Sequence, residues 1–453
     1  MPEQKDIIGI PDKRYFGNAL SIPEMQALSY ILQSHTTSKS GRTHEDLRLG
    51  DNKGMYSWAV PKGLPIQAGE KRLAIQQPMH SPDYNDFEGT IPEGYGAGTV
   101  KKKDGGEVVV TRKTPHSVQF TVADRKGGKS YTLVKTGKGD EDKNWLLTNS
   151  TLSPDQTIAH GLYDKVHMKN DDPENIDKYT GGDYRVSAKV DGAAALQELM
   201  KDRIETLSYR KDVNGNPIQH TDRIGGLRQQ IPDDLLGTVL RSEIYGEDKT
   251  GKAIPPQQLG GILNSTLANS IRSQQAKGIN LKTSVLDLIA EKGKKTNLLP
   301  EDRQARIQEI LKRLNNDRLT QPPSATDKEG ILNLFNKVKN NELPITKEGV
   351  VAVPNDGSTP TKLKFTKDDD VVINKIFKAD TKTGERAGGF EYGLPDSPNT
   401  TVGRVGTGFD HATLQDMLAN PDKYLKRIAR IKSQGQFDSG AHRAPSFIAL
   451  HEG

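Results

Sequence analysis

The stretch that most constrains this chain is Tyr184-Arg185-Val186-Ser187-Ala188-Lys189-Val190-Asp191-Gly192. Side chains alternate across a strand, so Arg185, Ser187, Lys189 and Asp191 share one face, and Tyr184, Val186, Ala188 and Val190 the other. The apolar row demands a core. The opposite face then carries an amine beside a carboxylate, and Gly192, followed by three alanines, lets the backbone pass close to whatever lies over the lysine. Such a lysine is placed to attack a phosphate, although taken singly the motif is more often a strand-end lysine paired with its i+2 aspartate.

The 453 residues exceed one ordinary core and predict about three domains. With 33% hydrophobic and 27% charged residues, 44 Gly and 25 Pro, those domains are expected to be rich in strands and loops. There is no cysteine, which excludes disulfides and thiolate metal sites and leaves His, Asp and Glu to hold any metal. A net charge of +5 fits a polyanionic partner. No apolar run approaches the roughly 20 residues of a membrane span, and Met1 to Asp6 do not open a signal peptide, so the expectation is no membrane and a cytoplasmic location.

In the first third, residues 1–20 read as a polar arm. A Ser/Gly loop then runs from His35 into an alternating segment where His44, Asp46 and Arg48 line one strand face and Leu47 and Leu49 the other. Short strands separated by turns follow to residue 148, predicting a small barrel or sandwich. The Gly-rich piece at 91–99 leads into no helical pattern, and 123–130 lacks the first glycine of a phosphate loop. In order, His44-x-Asp46-x-Arg48, Trp58-Ala59-Val60-Pro61-Lys62-Gly63, Lys71-Arg72-x-Ala74, His80-x-x-Asp83-Tyr84, Asp86-Phe87-Glu88-Gly89 and Ile91-Pro92-Glu93-Gly94 resemble the 3'-phosphoesterase domain of the bacterial and archaeal end-joining ligase system. The resemblance implies a Mn²⁺-type site from His35, Asp46 and His80. It also implies phosphate contacts or proton transfer from His44, Arg48, Arg72 and Tyr84, and removal of 3'-phosphates or 3'-ribonucleotides from DNA ends. His35 and His44 stand nine positions apart (44 − 35), wider than in the family.

Turn residues mark 151–183 as a linker. Beyond the lysine strand come Ser208-x-Arg210, Glu243 on a strand, Asp287 in a short apolar strand, Glu348-Gly349-Val350-Val351, and Lys362-x-Lys364, with helices predicted over 259–273 and 303–314. In that order these elements resemble the adenylation domain of an ATP-dependent DNA ligase. The resemblance implies that Lys189 attacks the α-phosphate of ATP to form a lysyl-AMP phosphoramidate. Arg210 would contact nucleotide or 5'-phosphate, Glu243 and Glu348 would position ribose and Mg²⁺, and Lys362 and Lys364 would neutralise the α-phosphate. Asp191 would hold the lysine and later help activate the 3'-hydroxyl. A free lysine titrates near pH 10.4, and the neighbouring cations are expected to favour loss of its proton. Leu286 stands where the family often stacks an aromatic residue on adenine.

From 371 on, short strands with glycine corners, a helix over 411–417 and Arg443-Ala444-Pro445-Ser446-Phe447 resemble the OB-fold that follows ligase adenylation domains. Arg404, Arg430 and Arg443, with Lys426, Arg427 and Lys432, are its candidate nucleic-acid contacts. The expectation is therefore a multidomain, β-rich α+β protein. It comprises a small β-barrel phosphoesterase domain (1–150), a linker (151–183), an adenylation or nucleotidyltransferase domain (184–370) and an OB-fold (371–453). It would clean and seal nicked or broken double-stranded DNA as a monomer, with an end-joining polymerase or end-binding protein as candidate partner. Two other readings use the same features: an RNA ligase or capping-type nucleotidyltransferase built on Lys189, and a non-catalytic scaffold for DNA ends.

Overall fold

The computed structural model describes residues 24–94, 96–122, 128–137, 142–152, 156–163, 166–211, 215–379 and 386–451. The arm read at 1–20, and part of the 123–130 loop, lie outside them. Among the described residues no helix is long and apolar enough to cross a membrane.

The first nine strands are β1 (Ala27–Thr37), β2 (Thr43–Asp51), β3 (Gly54–Val60), β4 (Lys71–His80), β5 (Gly89–Ile91), β6 (Gly98–Thr114), β7 (Ser117–Val122), β8 (Lys129–Lys135) and β9 (Asn144–Asn149). They pair in the order β1-β2-β3-β4-β9-β8-β7-β6, and β1 also pairs with β6, so eight strands close a barrel with β5 beside β6. Closure leaves no free edge around the ring. Inward residues include Leu28, Tyr30, Leu32, Leu47, Leu49, Trp58, Ala74, Phe120, Leu133, Trp145 and Leu147, all buried. The alternation that packs Leu47 and Leu49 inside puts His44, Asp46 and Arg48 on the outer face. Of barrel and sandwich, the chain forms the barrel.

Two compact units divide the chain: 1–166 with 190–322, and 167–189 with 323–453. The segment expected as a linker contains β10 (Lys169–Asp171) and a 3₁₀ turn at Pro173–Tyr179, and the lysine strand is β11 (Tyr184–Ala188). The chain then returns to the first unit with β12 (Ala193–Met200), β13 (Arg203–Lys211), β14 (Pro217–Gln219), β15 (Val239–Glu247), β16 (Asn280–Glu291), β17 (Lys294–Lys295) and β18 (Leu319–Thr320). Strands β14-β13-β12-β15-β16-β17 form one sheet, with β18 beside β16. Its helices are α1 (Pro256–Asn264), α2 (Leu267–Lys277) and α3 (Pro300–Leu314). The single helix expected over 259–273 is two, because Thr266 leaves helical geometry and caps α2 by accepting from the Asn269 N–H. Within this unit the barrel rests on α2, where Val109, Leu267, Ala268 and Ile271 form one buried cluster with Met25 and Ala27 against it.

The second unit continues with β19 (Ser324–Ala325), α4 (Lys328–Lys339), β20 (Gly349–Pro354) and β21 (Thr361–Lys364), giving the sheet β10-β21-β20-β11-β19. Helix α4 was absent from the sequence reading. It buries Ile331, Leu334, Phe335 and Val338, spaced i, i+3, i+4 and i+7, against Val186, Ala188, Val350 and Leu363. The rest is β22 (Lys367–Lys378), β23 (Ala387–Gly393), β24 (Gly403–Val405), α5 (His411–Ala419), β25 (Ile428–Ser433) and β26 (Ser446–Leu450). These strands make an antiparallel sheet in the order β24-β23-β22-β25-β26 over its own core.

Candidate functional sites

Two constellations gather side chains singled out in the sequence. The first lies on the outer face of the barrel. The β1–β2 hairpin pairs His35 directly with His44 and Gln33 with Asp46, so the wide sequence spacing is taken up by the turn at 38–42. Within the cluster, His35 Nδ1 lies 3.7 Å and His44 Nε2 3.3 Å from the Asp46 carboxylate, and the two imidazole centroids are 4.8 Å apart. Arg48, 1% exposed, stands 3.6 Å from Asp46 and lies over the Tyr84 ring at 4.7 Å. Burial would raise the Asp46 carboxyl, but hydrogen bonds from His35 and His44 and the Arg48 charge outweigh it, so Asp46 stays well below the usual carboxylate range.

The set can hold a divalent cation. One ligand atom each from His35, His44 and Asp46 falls within 4.8 Å of the others. The buried His35 Nε2 and His80 Nδ1 have no hydrogen-bond partner among the described residues, and two imidazoles with one carboxylate suit a borderline transition metal. The sequence reading gave His80 to the metal and His44 to the phosphate; the close trio contains His44. His80, last residue of β4, faces Tyr84 at 5.6 Å, and burial followed by the nearby Arg48 charge lowers it to about 4. Arg72, near the start of β4, pairs through its guanidinium with Glu70, and its buried Nε has no hydrogen-bond partner among the described residues. Gln33 was missed. Fully buried, it accepts from Arg48 Nη1 and donates to the carbonyls of Tyr84 (3.3 Å) and Phe87 (3.0 Å), fastening the 82–87 turn over the site. Its sequence signal was position alone, two residues before His35 on the same strand face.

The second constellation lies in the second unit. Val186, Ala188 and Val190 are buried, as alternation predicted. The strand ends at Ala188. Lys189 N–H donates to the Gly349 carbonyl at 2.9 Å, and the Thr346 hydroxyl donates to the Lys189 carbonyl. Lys189 Nζ donates to Glu348 at 2.7 Å, and Lys364 reaches the other Glu348 oxygen at 2.8 Å. Burial would raise Glu348, but the two ammoniums outweigh it and lower it. Both of its oxygens thus serve lysines, where the sequence reading gave Glu348 to ribose and metal. Lys362, on the same face of β21 as Lys364, is lowered by burial and then by the charges of Lys364 and Lys189. Gly349 has φ +146°, and a Cβ there would stand 2.1 Å from the Leu363 carbonyl oxygen, so β20 and β21 approach this closely only with glycine.

Other expected residues fall in the first unit. Glu243 is half-buried on β15. Gly192 lies against it: an added Cβ would meet the Ile244 carbonyl oxygen at 2.0 Å and Glu243 Cγ at 2.9 Å. Asp191 is half-buried beside this glycine, and Arg210 is exposed on β13. Leu286 is half-buried on the twelve-residue β16, longer than the short strand expected, and its carbonyl accepts from Gln304. Asp287 is held by Arg303 at 2.7 Å and faces Arg241 at 3.7 Å. In the C-terminal sheet Arg404 pairs with Glu391 at 2.6 Å and Arg430 with Asp370 at 3.2 Å. Arg443 is half-buried.

Comparison with known proteins follows the same division. Residues 33–135 match the DNA Ligase D 3'-phosphoesterase domain family. The multifunctional non-homologous end joining protein LigD of Pseudomonas aeruginosa is 35% identical over 129 residues, 27% of this chain and 15% of that protein. LigD of Mycobacterium tuberculosis strain H37Rv is 35% identical over 136 residues, 29% of this chain and 17% of that one. The matched region thus spans under a fifth of these relatives. Among solved structures, a Lig E DNA ligase covers 64% of this chain and 99% of its own at 15% identity and TM-score 0.45. The ligase domain of M. tuberculosis LigD covers 63% and 94% at 19% identity and TM-score 0.34.

Proposed function

Residues 33–135 belong to the DNA ligase D 3'-phosphoesterase domain family, and from that premise we propose that the chain is a two-activity DNA end-repair enzyme. The barrel removes 3'-phosphates or 3'-ribonucleotides, and the remainder seals the resulting 3'-hydroxyl to a 5'-phosphate through lysyl-AMP. The observation that carries the second half is the Lys189–Glu348–Lys364 chain of ion pairs, which fixes a lysine at a strand end beside two further cations. Nicked or broken duplex DNA is the substrate, ATP the nucleotide, and the C-terminal sheet an OB-type grip on nucleic acid.

In the barrel, His35, His44 and Asp46 would hold a Mn²⁺-type ion, with His80 next to them; such an ion, when bound, polarises the phosphoryl oxygens. Arg48, held under Tyr84 by Gln33, binds the phosphate and absorbs charge as the ester bond breaks. In the ligase half, Lys189 must lose a proton before attack, and its amine bonds the α-phosphorus as pyrophosphate leaves. Lys362 and Lys364 stand by to receive the α-phosphate charge. Mg²⁺ would supply further charge neutralisation on the phosphates.

The test is incubation with α-labelled ATP and Mg²⁺, then a denaturing gel. A labelled band that Lys189→Ala abolishes is the expected result, followed by sealing of nicked DNA. Labelling by GTP alone would move the reading to capping chemistry. No label from either nucleotide, in protein shown not to be already adenylylated, would leave a scaffold. For the barrel, wild type is expected to release phosphate from a 3'-phosphate oligonucleotide with Mn²⁺ and His80→Ala to lose about 10–100-fold.

A further inference from the structure

The outer row of β2 does not stop at His44. The Thr37 N–H donates to the Arg42 carbonyl at 3.0 Å, one pair beyond Thr36–Thr43, so the hairpin continues to Arg42. By alternation Arg42, His44, Asp46 and Arg48 form one line, with roughly 7 Å between successive members. An arginine therefore flanks the cluster at each end. The two differ in setting: Arg48 is buried under Tyr84, and Arg42 is exposed.

The turn beneath Arg42 is fixed. Thr36 and Thr43 share a hydroxyl hydrogen bond of 2.8 Å, and Thr37 and Ser40 one of 2.7 Å. The Gly41 N–H donates to the Thr37 carbonyl at 2.9 Å, with Gly41 at φ +62°, and the Ser38 N–H donates to the Ala97 carbonyl at 2.9 Å, tying the tip to the next turn. A cation on so braced a support loses little backbone entropy on binding an anion. The ordinary alternative is a solvated charge at a hairpin tip, which would be indifferent to substrate length.

A 3'-terminal phosphate has neighbouring phosphates on its own strand only to the 5' side. Resting on the phosphoesterase reading above, we infer that Arg42 grips an internucleotide phosphate on the 5' side of the terminal nucleoside while Arg48, three steps further along the row, takes the terminal one. The extended β1–β2 hairpin then works as a ruler that sets a DNA strand, in preference to a mononucleotide, across the cluster. Lys39, exposed in the same turn, adds to the attraction. Arg42 is a substrate-binding residue and takes no part in the chemical step.

The experiment compares wild type, Arg42→Ala and Arg42→Lys on three substrates: a 3'-phosphate oligonucleotide, the same strand with neutral methylphosphonate at its last three internucleotide linkages, and a nucleoside 3'-phosphate. Arg42→Ala should raise KM about tenfold on the charged oligonucleotide with kcat within about twofold. It should not change the nucleoside 3'-phosphate reaction, and Arg42→Lys should restore part of the loss. The methylphosphonate should cost wild type a similar factor and the Ala variant nothing more. In parallel, binding of the 3'-phosphate oligonucleotide by anisotropy should weaken about tenfold in Arg42→Ala, with a salt slope shallower by about 0.7. Equal loss of kcat on all three substrates, or oligonucleotide binding unchanged in Arg42→Ala, would overturn the inference. Binding that depends on Arg42 in a wild type that releases no phosphate would uphold it and overturn the phosphoesterase reading instead.

Discussion

At the scale of single residues, Glu348 joins two lysines through one carboxylate, and both depend on it for placement. Glu348→Gln keeps the shape and removes the charge, so two ammoniums lose their shared counter-ion. Labelling by ATP should fall by at least about 100-fold, or roughly 2.7 kcal/mol, with circular dichroism unchanged; equal labelling would show that the ion pairs are incidental. A second expectation concerns acid. Burial lowers His220 to about 3, with Arg223 and Arg210 adding to it, and His80 sits at about 4. Both lie below the free value of about 6.5, so between there and the folded value the unfolded chain takes up protons that the native one refuses. Their contribution is intact above about pH 6.5 and is lost as pH falls towards 4 and 3. The urea midpoint should drop from pH 7 to 4.5, and His220→Phe should recover on the order of 1–2 kcal/mol of that drop. Lys189, Glu348 and Lys364 stood out in the sequence by their order along the chain, but the pairing of Glu348 with both lysines did not, because the sequence reading gave that carboxylate to ribose and metal. Gln33 did not stand out, since a polar residue on a strand reads the same whether it meets water or bridges a buried arginine to two carbonyls.

Individual elements were legible where one rule decided them. Alternation in β2 predicted which side chains face out, and α5 begins at the predicted His411, capped by Asp410. The longer helix expected over 259–273 failed because apolar spacing persists through a break set by Thr266. The omission of α4 has a different source: its i, i+3, i+4, i+7 pattern and the Asp327 cap were present in the sequence, between turn residues that masked them. Asp327 accepts from the Gly330 N–H at 2.9 Å. Asp327→Ala should cost about 1 kcal/mol, visible as a lower denaturation midpoint, while ATP labelling of the folded protein stays within about twofold. A large loss of labelling at unchanged stability would assign Asp327 to the chemistry instead.

Across the whole molecule, chain order does not forecast which parts fold together. The barrel and the sheet of β12–β16 share a unit, joined by the α2 cluster and by a buried Thr121 hydroxyl that donates to Asp222 at 2.9 Å. Asp222 is itself held by Arg228 at 2.6 and 2.9 Å. Such long-range pairing leaves no local periodicity to read. The expectation is that barrel and sheet melt together, and that Ile271→Asp, which buries a charge in the apolar seam, splits the calorimetric transition in two. One transition at an unchanged temperature would mean the seam adds nothing to stability.

The lysine strand belongs to a sheet completed by β20 and β21, far later in the chain, and this has a meaning for biosynthesis. All barrel strands have been synthesised by residue 149, so the barrel can form early. Lys189 emerges soon after but does not have both Glu348 and Lys364 until 175 more residues follow (364 − 189), a delay of roughly 10–35 s at ordinary translation rates. Throughout that interval the nascent chain carries Lys189 without its complete set of ion-pair partners. On the function proposed above, adenylylation would be confined to chains that extend past Lys364, and a product truncated before it would be expected to clean an end without charging itself with AMP.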